Sequence, residues 1–489
     1  MVNNDIRSGK CCRQLQFRDK RCTAANIQTA HRFFTMAVNV ISKVFGPFKT
    51  VDPTLVNAKN ILSLSTKLFS EKGLVRLQDG RATLLPFMVR SLRKLENMIR
   101  EEMEKVSAYE ILLPASVKAS LLEATDRADK LELFKLIDRT DKKYILAPTH
   151  EEAITSLILT TDIKESALPL RFYQISTKFR DEAHPKHGLI RSKEFIMKDL
   201  YCFDVNKEGR CDTYNEVQKV YNNLFQRLGV PYKCIRGGDS DLPADYSHEF
   251  HFISDIGEDI LITCRNCGYA VNSTITDNKE ICSKCSSSDI DTQNGIEVAH
   301  TFNIGTVYSE RLKALYQAKN GERRHLELSS YGIGVTRILA AAVEILSVDQ
   351  NVRWPKMIAP YSVCIVPPKD GSKEENFKTF ANDLYMDLNK ILKGDIVIDD
   401  RGKLTIGNRF NQNKQFGFPY IVVIGGEMAK ETPKVEVFDV YGNEKHFVSP
   451  SDVVSFIVNK INKDSETTCV TDSRMDKIDD VCLESVKGG

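Results

Sequence analysis

Two strand-like blocks near the middle of the chain constrain its fold more than any other feature. Gln174-Ile-Ser-Thr-Lys-Phe-Arg180-Asp-Glu182 and Arg191-Ser-Lys-Glu-Phe195-Ile-Met-Lys-Asp199 are joined by the turn-rich Ala183-His-Pro-Lys-His-Gly188. Strand side chains alternate between faces. Arg180 and Glu182 therefore share one face of the first block, and Arg191, Lys193, Phe195, Met197 and Asp199 share one face of the second. Paired as a hairpin, the blocks gather two guanidinium groups, a carboxylate and an aromatic ring on one surface. Guanidinium forks match phosphate oxygens, a ring stacks on a base, and a carboxylate accepts from an amino group. The set suits a nucleoside triphosphate, although the hairpin alone also reads as a surface of mixed charge.

The chain has 489 residues, more than one ordinary domain holds. Its hydrophobic (42%) and charged (27%) fractions are those of a soluble globular protein, and a net charge of +2 excludes one that coats nucleic acid by general basicity. No apolar run is long enough for a membrane span. Thirteen scattered cysteines without a secretory signal point to a reducing compartment. The first 35 residues carry Arg7, Lys10, Arg13, Arg18, Lys20, Arg21 and Arg32 against Asp5 and Asp19. Such an Arg-rich, acid-poor leader over residues 1–40 resembles an organelle transit segment. The plainer alternative is a basic tail on a cytoplasmic protein.

Apolar residues Leu92, Leu95, Ile99, Met103 and Val106 step by three and four, which predicts an amphipathic helix over 90–106. Tyr109 to Pro114 reads as a strand stopped by proline. Tyr144 to Pro148 is another strand, leading into a helix that Thr149 can cap. A helix over 212–228 ends at Gly229. His325 to Tyr331 is a strand, Gly332-Ile-Gly334 a turn, and Val335 to Leu346 a helix with Arg337 in its first turn. Arg353 to Pro360 is a linker. Beyond it, strands at 361–366, 395–398 and 420–424 and a helix over 376–392 form a small α/β domain. The domains expected are 41–352, 353–462 and a polar tail over 463–489.

Three blocks stand in order: a helix and strand ending at Pro114, the Arg/Glu/Arg/Phe hairpin, and a strand–Gly-x-Gly–helix carrying Arg337. Together they resemble the three signature motifs of class II aminoacyl-tRNA synthetases. Leu146-Ala-Pro-Thr-His-Glu-Glu152, Lys178-Phe-Arg-Asp-Glu182, Ser247-His-Glu-Phe250, Gly295-Ile-Glu-Val-Ala-His300 and Tyr331-Gly-Ile-Gly-Val-Thr-Arg337 resemble, more narrowly, the bacterial-type prolyl-tRNA synthetases. The compact layout is similar to that of the mitochondrial forms, which implies that the leader over residues 1–40 is a mitochondrial transit segment directing the chain to the matrix.

The resemblance implies an α+β fold. It comprises a six- or seven-stranded antiparallel class II synthetase sheet flanked by helices, plus a C-terminal α/β anticodon-binding domain. It implies ATP-dependent attachment of proline to tRNA(Pro) through prolyl-adenylate, with Mg²⁺, in a homodimer. Arg180, Glu182, Arg191, Phe195 and Arg337 would bind ATP, with Arg180 and Arg337 the catalytic pair. Thr149, Glu151, Phe250, His300 and Phe302 would bind proline, and Arg401, Arg409 and Lys414 the anticodon. Departures from the pattern fall at His184, His187, Lys193, Ala244-Asp245 and Ser329. Only 127 residues separate Asp199 from Glu327, too few for the bacterial editing insertion. The competing reading is a synthetase-like accessory protein that binds nucleic acid without catalysis. Retention of the phosphate-binding set argues against it.

Cys264-Arg-Asn-Cys267 and Cys282-Ser-Lys-Cys285 stand fourteen residues apart. Paired Cys-x-x-Cys knuckles can hold structural Zn²⁺ through four thiolates. The alternative is four free thiols left in a shortened insertion.

Overall fold

The structure is a computed structural model and describes residues 39–44, 63–129, 132–238, 242–276 and 279–467. Most of the basic leader and most of the polar tail lie outside these residues.

Helix α1 (Leu64–Glu71) and the hairpin β1 (Val75–Gln78) and β2 (Arg81–Leu84) lead into the long helix α2 (Pro86–Lys105). Pro86 opens α2, where its missing N–H costs nothing. The strand read from Tyr109 shrinks to β3 (Tyr109–Glu110). A small module follows: β4 (Ser116–Lys118), α3 (Ala119–Ala124), β5 (Lys135–Ile137) and β6 (Lys143–Leu146). Then come α4 (Glu151–Leu159), β7 (Ile163–Lys164), and the two strands of the central hairpin, β8 (Leu170–Phe179) and β9 (Glu194–Asp204). Helix α5 (Lys207–Leu228) starts five residues before the sequence reading. The Asn206 side chain accepts from Gly209 N and caps it, and Gly229, at φ +66°, closes it in the left-handed conformation.

Strands β10 (Tyr232–Arg236), β11 (Tyr246–Ile253), β12 (Asp259–Cys264), β13 (Ala270–Asn272) and β14 (Ile290–Gly305) follow, then α6 (Val307–Leu312) and the hairpin β15 (Leu315–Gln317) and β16 (Arg323–His325). Strand β17 (Glu327–Gly334) runs directly into helix α7 (Val335–Leu346). The turn expected at Gly332–Gly334 is therefore strand. Gly332 pairs with Asp199 on one side and His300 on the other, and this two-sided ladder overrides glycine's turn preference.

Among the described residues the main sheet has nine strands, in the order β11-β10-β13-β12-β14-β17-β9-β8-β3. That is more than the six or seven expected. It is antiparallel except where β3 lies parallel to β8 and β13 to β10. One face packs on α2, α5 and α7, burying Leu95, Ile99, Tyr221, Phe225, Ile338 and Leu339. The other face carries Tyr201, Phe203 and Leu328 against Ile154 and Ile158 of α4. The functional side chains stand on this second face.

The C-terminal region holds β18 (Val363–Val366), α8 (Lys378–Leu392), β19 (Ile396–Ile398), α9 (Ile406–Gln415), β20 (Tyr420–Val423), β21 (Val435–Asp439), β22 (Glu444–Val448) and α10 (Val453–Thr467). Its sheet order is β19-β18-β20-β21-β22. The domain read as starting at residue 41 needs one correction. Val40 pairs in parallel with Ile398, and Asn39 Nδ2 donates to Gly394 O (3.3 Å). Residues 39–42 therefore attach to the C-terminal sheet, whose β19 edge has free ladder groups. No helix is long and apolar enough to cross a membrane among the described residues.

Candidate active site

The β8–β9 hairpin builds the first wall of a cleft of about 320 Å³, lined by Arg180, Glu182, Arg191, Phe195, Glu297 and Arg337 among others. Lys178 and Phe195 are cross-strand partners. The Arg180 guanidinium lies 5.3 Å from the centre of the Phe195 ring, a cation–π contact at the end of the hairpin. Arg191 grips Glu182 with both prongs, Nε to Oε2 at 2.6 Å and Nη2 to Oε1 at 2.9 Å, while its Nη1 donates to Glu258 Oε2 at 2.8 Å. The Arg191 hydrogen bond holds the Glu182 carboxyl below its usual range. Sequence reading gave Glu182 and Arg191 separate roles. The structure joins them as one bidentate pair.

Arg337, in the first turn of α7, donates through Nε to Ile190 O (2.9 Å) and through Nη1 to Glu297 O (2.8 Å). Burial works against the Glu297 charge, but His300 and Arg337 outweigh it and hold the carboxyl well below the usual range. The loop that joins the hairpin rests on β1–β2: Lys193 N donates to Gly80 O, and a Cβ at Gly80 would meet Pro185 at 2.9 Å. His187 lines the cleft, and burial lowers its pKa.

The second wall is buried. Asp199, Gly332 and His300 form one row across three adjacent strands. Lys178 Nζ pairs with Asp199 Oδ1 at 2.9 Å and donates to His150 Nδ1 at 2.9 Å. His150 Nε2, 3.0 Å from Pro114 O, then carries the proton. Burial, then the Lys178 charge, lower the His150 pKa, so the ring is neutral. Tyr201 and Gln174 both donate to Asp199 Oδ2, and His150 N donates to Tyr201 Oη. Glu151 begins α4 beside this network and accepts from Ser330 Oγ at 2.8 Å.

His300 stacks on Phe302 with 3.8 Å between ring centres, and its Nδ1 lies 2.9 Å from Glu297 Oε1. Its Nε2 is buried, has no hydrogen-bond partner among the described residues and lies 4.0 Å from Glu249 Oε1. Gly237 faces it closely: a Cβ there would sit 3.0 Å from His300 Nε2 and 2.2 Å from Ser247 Oγ.

Three sequence expectations are corrected. Phe250 does not line this face. It is fully buried on the opposite side of β11, stacked on Phe225 of α5, because strand alternation sends it there while Ser247 and Glu249 turn to the site. Thr149 does not cap α4. His150 occupies the cap position without a side-chain bond, and Thr149 Oγ1 instead accepts from Arg127 Nη2 at 3.3 Å. Arg409 is not exposed for an anticodon. It is fully buried and donates to Asp399 O and Pro367 O. Arg401 and Lys414 stay half-buried, with Arg401 paired to Asp399 at 2.6 Å. Residues without a role in the sequence reading include Arg127, Ser330 and Glu258. Glu249 lay inside the Ser-His-Glu-Phe motif and was readable by alternation alone.

The four knuckle sulfurs lie within 4.8 Å of one another, with Cys264–Cys285 and Cys267–Cys282 each 3.6 Å apart. Thiolates around one tetrahedral ion at about 2.3 Å stand at nearly that separation.

Residues 134–346 match the tRNA synthetase class II core domain (G, H, P, S and T), and residues 362–460 match the anticodon binding domain. The probable mitochondrial proline–tRNA ligase of Mus musculus is 37% identical over 430 residues, covering 86% of this chain and 90% of that protein. This chain belongs to the proline–tRNA ligase family. The family's Sulfurimonas denitrificans enzyme, described as a proline–tRNA ligase, is 32% identical over 432 residues and is covered to 98%. The Giardia lamblia prolyl-tRNA synthetase, solved with prolyl-adenylate, shares the family fold with a TM-score of 0.71 at 20% identity. The match covers 86% of this chain and 82% of that one.

Proposed function

We propose that the chain activates proline with ATP and transfers it to the 3′ end of tRNA(Pro). The observation that carries this reading is the meeting of two unlike walls: an arginine-rich open cleft and a buried polar wall with a carboxylate and an unpartnered imidazole nitrogen. Proline's carboxylate is already a nucleophile. It attacks the α-phosphorus of ATP and pyrophosphate leaves, so the site needs positioning and charge stabilisation rather than a base. Arg180 stabilises the α-phosphate, Phe195 stacks on adenine, the Glu182–Arg191 pair meets the adenine amino group and the tail phosphates, and Arg337 holds the phosphates. Mg²⁺ would supply charge neutralisation of the phosphates, and of the cleft carboxylates, Glu297 and Glu258 would hold it. Glu151 receives proline's ammonium, while His300 and Phe302 close on the ring. Proline-dependent exchange of pyrophosphate into ATP is expected, with threonine inactive. Absence of exchange in the folded protein would refute the reading.

The 127 residues between Asp199 and Glu327 are taken up by the end of β9, α5, the strands through β16, and α6. We read the chain as lacking an editing domain. One missing methylene costs an apolar pocket only about 1–3 kcal/mol, so alanine is activated measurably and Ala-tRNA is not cleared by the enzyme. Rapid deacylation of Ala-tRNA would contradict this. The basic leader and the mitochondrial relatives support work in the mitochondrial matrix. Tyr109 and Leu112, 71% and 79% exposed at the sheet edge, support docking of a second copy there. The anticodon would be read by the C-terminal domain through Arg401 and Lys414.

Cys264, Cys267, Cys282 and Cys285 would hold Zn²⁺, whose four thiolates leave no open position and make it structural. One zinc per chain is expected by elemental analysis. Its removal would loosen β12–β13 without abolishing proline activation.

A further inference from the structure

Arg127 lies in the loop after α3 and is 4% exposed. Its Nη1 donates to Glu152 Oε1 at 2.9 Å and faces Glu151 Oε2 at 3.4 Å, and its Nη2 reaches Thr149. Glu151 and Glu152 are each 2% exposed and adjacent in the first turn of α4. Thr125 Oγ1 donates to Glu152, and Ser330 Oγ to Glu151. One guanidinium set against two carboxylates leaves a single negative charge unbalanced. We propose that Arg127 is a positioning residue for amino-acid recognition, fixing Glu151 and Thr149 and leaving the carboxylate pair the one charge that a secondary ammonium matches. The inference rests on the reading of Glu151 as the partner of proline's ammonium.

Burial, reinforced by Glu151, raises the Glu152 pKa, and Arg127 opposes the rise. Without the guanidinium, two adjacent buried carboxylates take up a proton between them, and the one charge that remains is shared with Glu152 instead of standing on Glu151 for the substrate. The other groups facing the pair do not replace it. Lys178 on β8 is committed to Asp199 and His150. Tyr201 on β9 donates to Asp199. Tyr308 on α6 is held neutral by burial. Ser330 and Thr125 carry no charge. Arg127 also ties the β4–β6 module to the amino-acid wall, because α3 and its loop belong to that module.

The test is proline-dependent pyrophosphate exchange by the full chain and its R127M, R127K and R127M/E152Q variants. R127M is expected to raise the KM for proline by about tenfold or more near neutral pH, the scale of one lost charged hydrogen bond, with the KM for ATP nearly unchanged. Its KM for proline falls as pH rises, because the shared proton leaves. R127K recovers part of the affinity. R127M/E152Q confines the lone charge to Glu151, so it regains affinity and a flat pH profile even if R127M folds poorly. Equal rises in both KM values without pH dependence, or wild-type behaviour in folded R127M, overturn the role of Arg127. A wild type without exchange overturns the functional reading and this inference together.

Discussion

The two walls of the site use charge in opposite ways. On the nucleotide wall Arg180 is exposed, and Arg191 and Arg337 are half-buried, with Arg191 gripping Glu182 and Glu258. On the amino-acid wall Lys178, Asp199, His150, Glu151 and Arg127 are all buried. Solvent screens the first set, so its pairs are worth little to stability and exchange readily for phosphate. The second set has no water to fall back on. Breaking it strands a charge, so it holds its geometry whether or not substrate is present. A polyanion that arrives and leaves in every turnover needs partners that let go, whereas a small ring-shaped amino acid needs a rigid mould.

The largest effect expected from this contrast is at Asp199. D199N leaves Lys178 buried without its counter-charge and should cost about 3–5 kcal/mol of stability in denaturant unfolding. A loss below about 1 kcal/mol would mean the buried wall is no stiffer than the open one. R180A comes next and should act the other way round. It should slow proline-dependent exchange by roughly a hundredfold or more, the scale of one lost preorganised donor, while the unfolding midpoint barely moves. A matching fall in stability would erase the distinction between the walls.

The smallest effect sharpens the comparison within a single strand. Asp199 faces the site, and its neighbour Lys198 faces the helices. Lys198 is fully buried, hydrogen-bonded to Tyr221 Oη, and burial pushes its pKa down to about 7. Between that value and the ordinary lysine range the unfolded chain binds the extra proton, so stability rises with pH across that window and is lost as pH falls toward 7. The contribution is at most about 1.4 kcal/mol per pH unit. Unfolding midpoints near pH 7.5 and 9.5 should therefore diverge more in the wild type than in K198M. Equal divergence would show that Lys198 does not titrate in this window.

The hairpin, Arg337 at the start of α7, and the alternating strands of the C-terminal region were legible because each depends on local spacing: period two in strands, period 3.6 in helices. Alternation puts Phe195 on the same hairpin face as Arg180, and the two meet at 5.3 Å. Applied to β11, it also favours Glu249 over Phe250, since Ser247 and Glu249 share a face. The sequence resemblance had suggested Phe250 instead. Arg409 shows the limit of composition. A basic residue in a basic helix reads as exposed, yet two backbone carbonyls draw its guanidinium inside.

The sequence by itself determined the family, the order of the motifs and the chemical types in the nucleotide wall. These are properties of short stretches, and local backbone periodicity carries them. Only the tertiary structure decided what surrounds Glu151. Ser330 comes from 179 residues away and Arg127 from 24, on strand and loop partners that no periodicity links. The cost of leaving a buried charge unpaired selects those partners. That cost arises only when the chain has folded around the charge and excluded water.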